Sequence, residues 1–409
     1  MKYGLIGEHL GHSFSKEVHS MLSDYEYEIC EISKNELDAF MTARNFTAIN
    51  ITIPYKTDVI PYLYYISEEA KSIGAVNTIV NRDGKLYGYN TDFFGMKSLI
   101  ERLSLSINGK KVAILGSGGT SKTAIAVAKH LVAREIITVS RAQRDGTITY
   151  NEFQKAHTDT EIIINTTPVG MYPDNKSCPI DISKFGKLEG VIDAIYNPIR
   201  TNLILDAKER GITAEGGLYM LIAQAVYASE IFLGVKYPNG TIEKIYDDIL
   251  RKKENIVLIG MPSSGKTTVA RIIADLTKKA LVDTDELIEE NAGTTIPHIF
   301  EAEGEIGFRN RESLEIDNVS LQNSIVISTG GGAILKKSNV RSLRQNGHIY
   351  FIDRALQDLT PTRDRPLASN KDAMEKLYRE RYELYVEAAD DTVVSEFDPT
   401  ATAKKIIGV

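Results

Sequence analysis

The sequence predicts an α/β protein of two or three domains, on three observations. A chain of 409 residues exceeds what one hydrophobic core of ordinary size organises. The apolar run 256–259 leads into Gly260-x-x-x-x-Gly265-Lys266-Thr267 and then a helical pattern, the strand–loop–helix order that a phosphate-cradling loop requires. Earlier, a strand over 111–115 runs into Gly116-Ser117-Gly118-Gly119-Thr120-Ser121-Lys122, a helix over 124–131 and a second strand over 136–139. That is the βαβ layout of a dinucleotide-binding unit.

Bulk properties narrow the class. Hydrophobic residues make up 43% and charged residues 25%, the balance of a soluble globular protein. The net charge of −7 is uneven: from Glu254 onward 19 Lys and Arg face 25 Asp and Glu. Neither half carries the basic excess that a nucleic-acid backbone demands, so the expected partners are small anionic molecules. Cys30 and Cys178 stand far apart, which argues against a disulfide framework or a zinc site and fits a reducing, cytoplasmic setting. The first residues enter a strand-like run with no signal-peptide pattern, and no apolar stretch nears the ~20 residues of a membrane span.

In chain order, a short strand over 3–6 is followed by the polar loop 8–16. The segment 48–53 alternates, placing Asn50 and Thr52 on one face and the isoleucines on the other, and ends at Pro54-Tyr55-Lys56. A helix is expected over 67–73, then a hairpin of 78–80 and 86–89 about Asp83-Gly84. Asn90-Thr91-Asp92 caps a helix expected to begin near Phe93. In the dinucleotide unit, Ser140-Arg141 stands where an NAD site normally has an acid. Arg141, with Arg144 behind it, suits a ribose 2′-phosphate, so NADP is favoured. Strands are expected at 161–165 and 190–193, helices at 203–210 and 218–232, and a charged helix ending near 254. In the phosphate loop, Gly260, Ser263, Ser264, Gly265, Lys266, Thr267 and Thr268 form the cradle. Lys266 would reach the β/γ-phosphates and Thr267 would sit on Mg²⁺. The strand 281–285 is expected to end in Asp283 and Asp285 on one face, and Arg309 and Glu312 are helix neighbours at i, i+3.

Several segments over about 1–250 together resemble shikimate dehydrogenase. They are His12-Ser13-Phe14-Ser15, Asn50-Ile51-Thr52-Ile53-Pro54-Tyr55-Lys56, Gly74-Ala75-Val76-Asn77-Thr78, Asn90-Thr91-Asp92, Asn165-Thr166-Thr167-Pro168, Asp193-Ala194-Ile195-Tyr196-Asn197-Pro198 and 217–225. The resemblance implies reversible NADP(H)-linked reduction of 3-dehydroshikimate to shikimate. Lys56 would supply the proton and Asp92 orient its ammonium, while Ser13, Ser15, Asn50, Thr52, Asn77, Tyr196 and Gln224 would bind substrate. Gly116, Ser117, Gly118, Gly119, Thr120, Ser140, Arg141, Thr166, Ile195 and Gly217 would bind the cofactor. Departures are a short segment after Arg141 with no helix expected before the next strand, and Gly216 in place of an acid.

From about 254 to 409 the chain resembles shikimate kinase. After the phosphate loop come Asp283-Thr284-Asp285, Phe308-Arg309-Asn310-Arg311-Glu312, Thr329-Gly330-Gly331-Gly332, Arg363-Asp364-Arg365-Pro366-Leu367 and Arg379-Glu380-Arg381. The resemblance implies ATP- and Mg²⁺-dependent phosphorylation of shikimate. Asp285 would act as base, Asp283 would support Mg²⁺, and Arg309 and Arg381 would fork onto the substrate carboxylate. Gly331 and Gly332 would admit the ring, Arg365 would close over the phosphates, and Arg363 would stack on adenine from a shortened lid. The resulting architecture is an α/β substrate domain (1–100 and about 218–250), a Rossmann-like NADP domain (101–217) and a P-loop NTPase-type parallel α/β kinase domain (254–409). The two resemblances name consecutive steps of chorismate and aromatic amino acid biosynthesis. A quinate-directed dehydrogenase, a shikimate-sensing regulator built from inactive copies and a nucleotide kinase remain as alternatives, and the oligomeric state stays open.

Overall fold

The computed structural model describes residues 1–10, 14–143, 146–360 and 370–408. The chain forms two compact units, Met1–Ile249 and Leu250–Val409.

The first unit holds two sheets. The first sheet is built from β1 (Tyr3–Gly7), β2 (Tyr27–Glu31), β3 (Ala48–Ile51), β4 (Tyr65–Ile66), β5 (Thr78–Arg82) and β6 (Lys85–Tyr89), with α1 (Phe14–Leu22), α2 (Leu37–Ala43), α3 (Glu68–Ile73) and α4 (Thr91–Arg102) between and after them. Its order is β2-β1-β3-β5-β6-β4. Strands β2, β1 and β3 are parallel, and β5 runs antiparallel to both β3 and β6. The hairpin turn puts Asp83 at φ 52° and Gly84 at φ 79°, the paired positive values of a type I′ turn.

The second sheet comprises β7 (Lys111–Leu115), β8 (Glu135–Ser140), β9 (Ile148–Thr149), β10 (Ile162–Asn165), β11 (Gly190–Asp193) and β12 (Thr213–Glu215), with α5 (Gly119–His130), α6 (Tyr150–Ala156) and α7 (Asn202–Glu209). All six strands are parallel in the order β12-β11-β10-β7-β8-β9. The order reverses between β7 and β10, where doubly wound sheets bind ligands. Next, α8 (Leu218–Leu233) packs on α4, α1, β3 and β5 of the first sheet, where Ala228 and Phe232 share a buried cluster with Leu5, Tyr27, Ala48 and Val80. The helix α9 (Thr241–Lys253) follows and runs past Ile249, the last residue of the first unit.

The second unit contains β13 (Asn255–Ile259), α10 (Lys266–Thr277), β14 (Ala280–Asp283), α11 (Thr284–Ala292), α12 (Ile296–Ser320), β15 (Ile325–Ser328), α13 (Lys337–Asn346), β16 (Gly347–Asp353), α14 (Lys371–Ala388), β17 (Asp391–Val394) and α15 (Pro399–Ile407). Its parallel sheet has the order β14-β15-β13-β16-β17. Core clusters cover both faces of this sheet, as a parallel sheet requires.

Several expectations need correction. The segment after Arg141 does hold a helix, α6: Thr149 Oγ1 accepts from Glu152 N at 3.3 Å, and Phe153 anchors it in the core. The helix α4 does start at the expected cap, running from Thr91 with Asn90 as the N-cap residue that accepts from Asp92 N. Strand β3 ends at Ile51, so Ile53 falls outside the alternation and is 75% exposed. Strand β14 ends at Asp283, whose carboxylate caps α11 by accepting from Asp285 N at 3.0 Å. Asp285 therefore sits in a helical first turn, and the two acids do not share a strand face. Gly304 (φ 68°) breaks α12, a kink the i, i+3 reading of that helix did not foresee.

Candidate active sites

In the first unit, a cleft of about 510 Å³ gathers Ser15, Asn50, Thr52, Lys56, Asn77, Asp92, Tyr196 and Gln224, with Thr120 and Gly217 from the dinucleotide side. Ser13, also expected here, lies outside the described residues. Lys56 stands on the turn after β3. Its backbone carbonyl accepts from Val76 N at 2.8 Å, and buried Tyr55 beside it donates to the Ile32 carbonyl at 2.5 Å. Lys56 Nζ reaches Asp92 Oδ2 at 2.6 Å, with both side chains still 20–30% open to solvent. The pair joins the end of β3 to the first turn of α4, and only folding brings these two positions together.

Two asparagines brace the wall behind the pair. Asn77 Oδ1 accepts from Thr91 N at 2.7 Å and Thr78 Oγ1 at 3.0 Å. Asn50 Oδ1 accepts from Tyr27 OH at 2.8 Å, while its amide donates to the Asn77 carbonyl and Thr78 Oγ1. Its polar atoms are thus engaged within the protein. Gln224 lines the cleft from α8, which approaches α4 closely at Gly95, where a β-carbon would stand 2.6 Å from the Met220 carbonyl oxygen. No sequence motif includes Gly95, Tyr27 or His9, the last of which lines the cleft; Phe14 and Met220 of the lining stand within the motifs. Tyr27 and Gly95 act through partners distant in sequence, so no local pattern marks them.

The dinucleotide loop follows β7. Gly116 has φ 111°, and a β-carbon there would stand 2.7 Å from Thr166 Oγ1, so the first loop glycine is required both by conformation and by close approach. Ser117 follows, Gly118 is the N-cap of α5, and Gly119 and Thr120 form its first turn, an amide-rich end suited to a pyrophosphate. Gly217 is packed just as tightly: its β-carbon would meet the Ala194 carbonyl oxygen at 2.2 Å, and its N–H donates to the Ile195 carbonyl at 2.8 Å. Beneath that crossing lies Asp193, fully buried, accepting from Asn165 Nδ2, Ile195 N and Thr201 Oγ1. Burial pushes its carboxyl up to about 7, against the pull of those three donors. At the far end Ser140 donates to the Ala142 carbonyl, and Arg141 is exposed beyond it. Arg144 is outside the described residues.

In the second unit, Gly260 (φ 148°) and Gly265 (φ 92°) shape the phosphate loop. Lys266 is buried, its Nζ donating to the carbonyls of Gly260 and Met261 at 2.9 Å. Thr267 Oγ1 donates to Asp283 Oδ2 at 2.9 Å, so the hydroxyl and carboxylate suited to a divalent cation are neighbours, a donor set of hard oxygens that fits Mg²⁺. A pocket of about 370 Å³ joins Ser263, Ser264, Gly265, Lys266, Thr267 and Thr268 to Asp283, Asp285 and Gly331, and adds Glu286 and Thr329. Gly330 of the glycine motif packs against Asp285: a β-carbon there would lie 2.4 Å from Asp285 Oδ1.

The arginines line up behind the glycines. Arg309 Nη1 holds both oxygens of Glu312 at 2.8–2.9 Å, and burial pushes the Glu312 carboxyl up while Arg309 pulls it down. The space that Gly332 leaves open is filled by this guanidinium, 2.0 Å from where a β-carbon would stand. Arg381 is buried and donates to the Gly331 carbonyl at 3.0 Å. Arg363 and Arg365 fall in the segment 361–369, outside the described residues.

Fold and sites define the class: an α/β enzyme pairing a dinucleotide-binding unit, with a lysine–aspartate pair in its cleft, and a phosphate-loop kinase unit. Comparisons narrow this further. The family model for the shikimate dehydrogenase substrate binding domain matches residues 5–79, and that for shikimate kinase matches 262–409. A shikimate dehydrogenase (NADP(+)) of Clostridium perfringens is 37% identical over 265 residues, covering 60% of this chain and 97% of that one. One from Methanosphaera stadtmanae is also 37% identical, over 56% of this chain and 90% of its own. Among solved structures, a chorismate mutase/shikimate 5-dehydrogenase fusion from Clostridium acetobutylicum aligns with TM-score 0.57 and 33% identity, covering 60% of this chain and 96% of that one. Shikimate dehydrogenase 1 of Peptoclostridium difficile aligns with TM-score 0.55 and 36% identity over 61% and 98%. The chain belongs to the shikimate dehydrogenase family and carries a shikimate kinase domain after it. Among the described residues, no helix is long and apolar enough to cross a membrane.

Proposed function

We propose that this bifunctional shikimate-pathway enzyme reduces 3-dehydroshikimate to shikimate with NADPH at its first site and phosphorylates shikimate with ATP and Mg²⁺ at its second. The observation that carries the reading is the gathering of motif residues from distant segments into two clefts, one per unit: Lys56, Asn77, Asp92 and Gln224 in the first, and Lys266, Thr267, Asp283 and Asp285 in the second. Bound NADPH supplies the hydride at the first site, and bound ATP with Mg²⁺ supplies the phosphoryl group at the second. As charge builds on the ketone oxygen, Lys56 delivers a proton to it, and Asp92 fixes the ammonium at 2.6 Å so that no reorganisation is needed. Ser15, Thr52, Asn77 and Gln224 orient the ring hydroxyls and carboxylate. Asn50, which lines the same cleft, would add a further contact to the substrate. Gly116 to Thr120, Thr166, Ile195 and Gly217 hold the dinucleotide, and Arg141 takes the 2′-phosphate.

At the second site Asp285 would take the proton of the shikimate hydroxyl as that oxygen bonds to the γ-phosphorus and the bond to the β,γ-bridging oxygen breaks, with ADP as the leaving group. Thr267 and Asp283 hold the cation, Lys266 the phosphate chain, and Arg309 and Arg381 the substrate carboxylate. Arg365 is assigned to the closing lid on resemblance alone. The corresponding domains are 1–100 with about 218–250, 101–217 and 254–409; packing of α8 on the first sheet supports the return to the substrate domain. A cytoplasmic location goes with this reading, because NADPH and ATP are supplied there.

The test follows NADPH loss and ADP formation separately in purified enzyme given 3-dehydroshikimate, NADPH, ATP and Mg²⁺. ADP is expected only after shikimate has formed. ADP absent even with added shikimate would refute the kinase half, and untouched NADPH would refute the dehydrogenase half.

A further inference from the structure

We propose that Arg354 binds the phosphate chain of the nucleoside triphosphate at the second site, a role that rests on the kinase reading above. Arg354 directly follows β16, which lies beside β13 in parallel register with Phe351 opposite Ile259. That pairing carries the ends of both strands to one place. A β-carbon on Gly260 would stand 2.8 Å from the Ile352 carbonyl oxygen, and one on Gly265 would stand 3.8 Å from Arg354 Nη1. The guanidinium therefore lies against the phosphate loop at the residue that opens α10, whose first amides are the natural seat of phosphate oxygens.

The side chain is half-buried and, among the described residues, has no hydrogen-bond or ion-pair partner. Other arginines of the unit with comparable or deeper burial are engaged. Arg309 holds Glu312, Arg344 donates to the Ala388 carbonyl, and Arg381 donates to the Gly331 carbonyl. A partly desolvated cation with no anion beside it is unfavourable, and a phosphate chain seated on the loop supplies that anion. The planar guanidinium can meet two phosphate oxygens at once, which an ammonium cannot. Lys266 and Arg354 would then approach the chain from different elements, one from α10 and one from the end of β16.

The test uses the full chain. Wild type, Arg354→Ala and Arg354→Lys are titrated calorimetrically with ADP and with inorganic tripolyphosphate, and the KM values for ATP and shikimate are measured. Arg354→Ala is expected to weaken both ligands and raise the KM for ATP about tenfold, the usual loss for a charged hydrogen bond. Arg354→Lys should fall between, and the KM for shikimate and the NADPH-linked rate should not move. Unchanged tripolyphosphate affinity overturns the proposal, including the case where ADP alone weakens, which would mean a contact with the base. If Arg354→Ala does not fold, as read from its thermal transition, the tripolyphosphate affinity of Arg354→Lys decides in the same way. A wild type that binds both ligands but never phosphorylates shikimate refutes the kinase reading and leaves this comparison intact.

Discussion

Lys56 and Asp92 are brought within 2.6 Å by the turn after β3 and the first turn of α4, and the first residue-scale prediction concerns them. Lys56→Ala should lower the dehydrogenase kcat by about 10² to 10⁴, the usual worth of a positioned proton donor, with the kinase rate of the same chain unchanged as an internal control. At the second site, Gly332→Ala would place a β-carbon 2.0 Å from Arg309 Nη1. Its KM for shikimate should rise tenfold or more while the KM for ATP holds, because the displaced guanidinium is the one proposed for the substrate carboxylate and not for the phosphates. Asp193 gives a pH prediction. Its carboxyl titrates near 3.8 when unfolded and is pushed up to about 7 by burial, so its contribution to stability is full below 3.8 and is lost as pH rises through 7. The stability of wild type relative to Asp193→Asn, from urea melts, should therefore fall with pH across that window, by at most about 1.4 kcal/mol per pH unit. A difference that stays flat or rises would show the carboxylate to be ionised throughout. The motif residues were legible because each lies in a short local pattern. Tyr27 and Gly95 were not, since each is defined by an atom it meets from elsewhere in the chain.

Elements were legible where a strand, a glycine turn and a helix stood in sequence, as at β7 to α5 and β13 to α10. They were not where pattern was brief. Helix α6 has seven residues, too few to show a period, and it persists through its Thr149 cap and the burial of Phe153. Thr149→Ala should cost the first unit about 1 kcal/mol in a urea melt; no loss would mean that Phe153 alone holds the helix. Helices α1 and α2 and strand β2 went unread for a related reason. Among the described residues strand β2 pairs with β1 alone, and its burial follows no strict alternation. The acids of the second site show how a boundary can mislead. An Asp–Thr–Asp sequence fits a strand by period, yet Asp283 ends the strand by capping the next helix. The carboxylate proposed as base is thus held by a helical turn, and the one proposed for the cation by the cap itself.

Across the molecule, the two units have separate sheets and separate cores. Calorimetry should accordingly resolve two unfolding transitions, one raised by NADP and the other by ADP with Mg²⁺. A ligand at a hundred times its Kd adds about 2.7 kcal/mol to the unit that binds it, enough to move one transition by several degrees and leave its neighbour in place. A single transition raised by either ligand would show the units to be one cooperative body. This division was visible in the sequence as two unlike glycine loops, whereas the return of α8 to the first sheet required tertiary contacts to see.

Carrying both units on one polypeptide has a further consequence. Every molecule made brings one reductive and one phosphorylating centre, so changes in synthesis or degradation scale both capacities by the same factor. The ratio of the two maximal rates becomes a heritable constant of the chain, adjustable by substitution within a site but not by the amount of protein a cell makes.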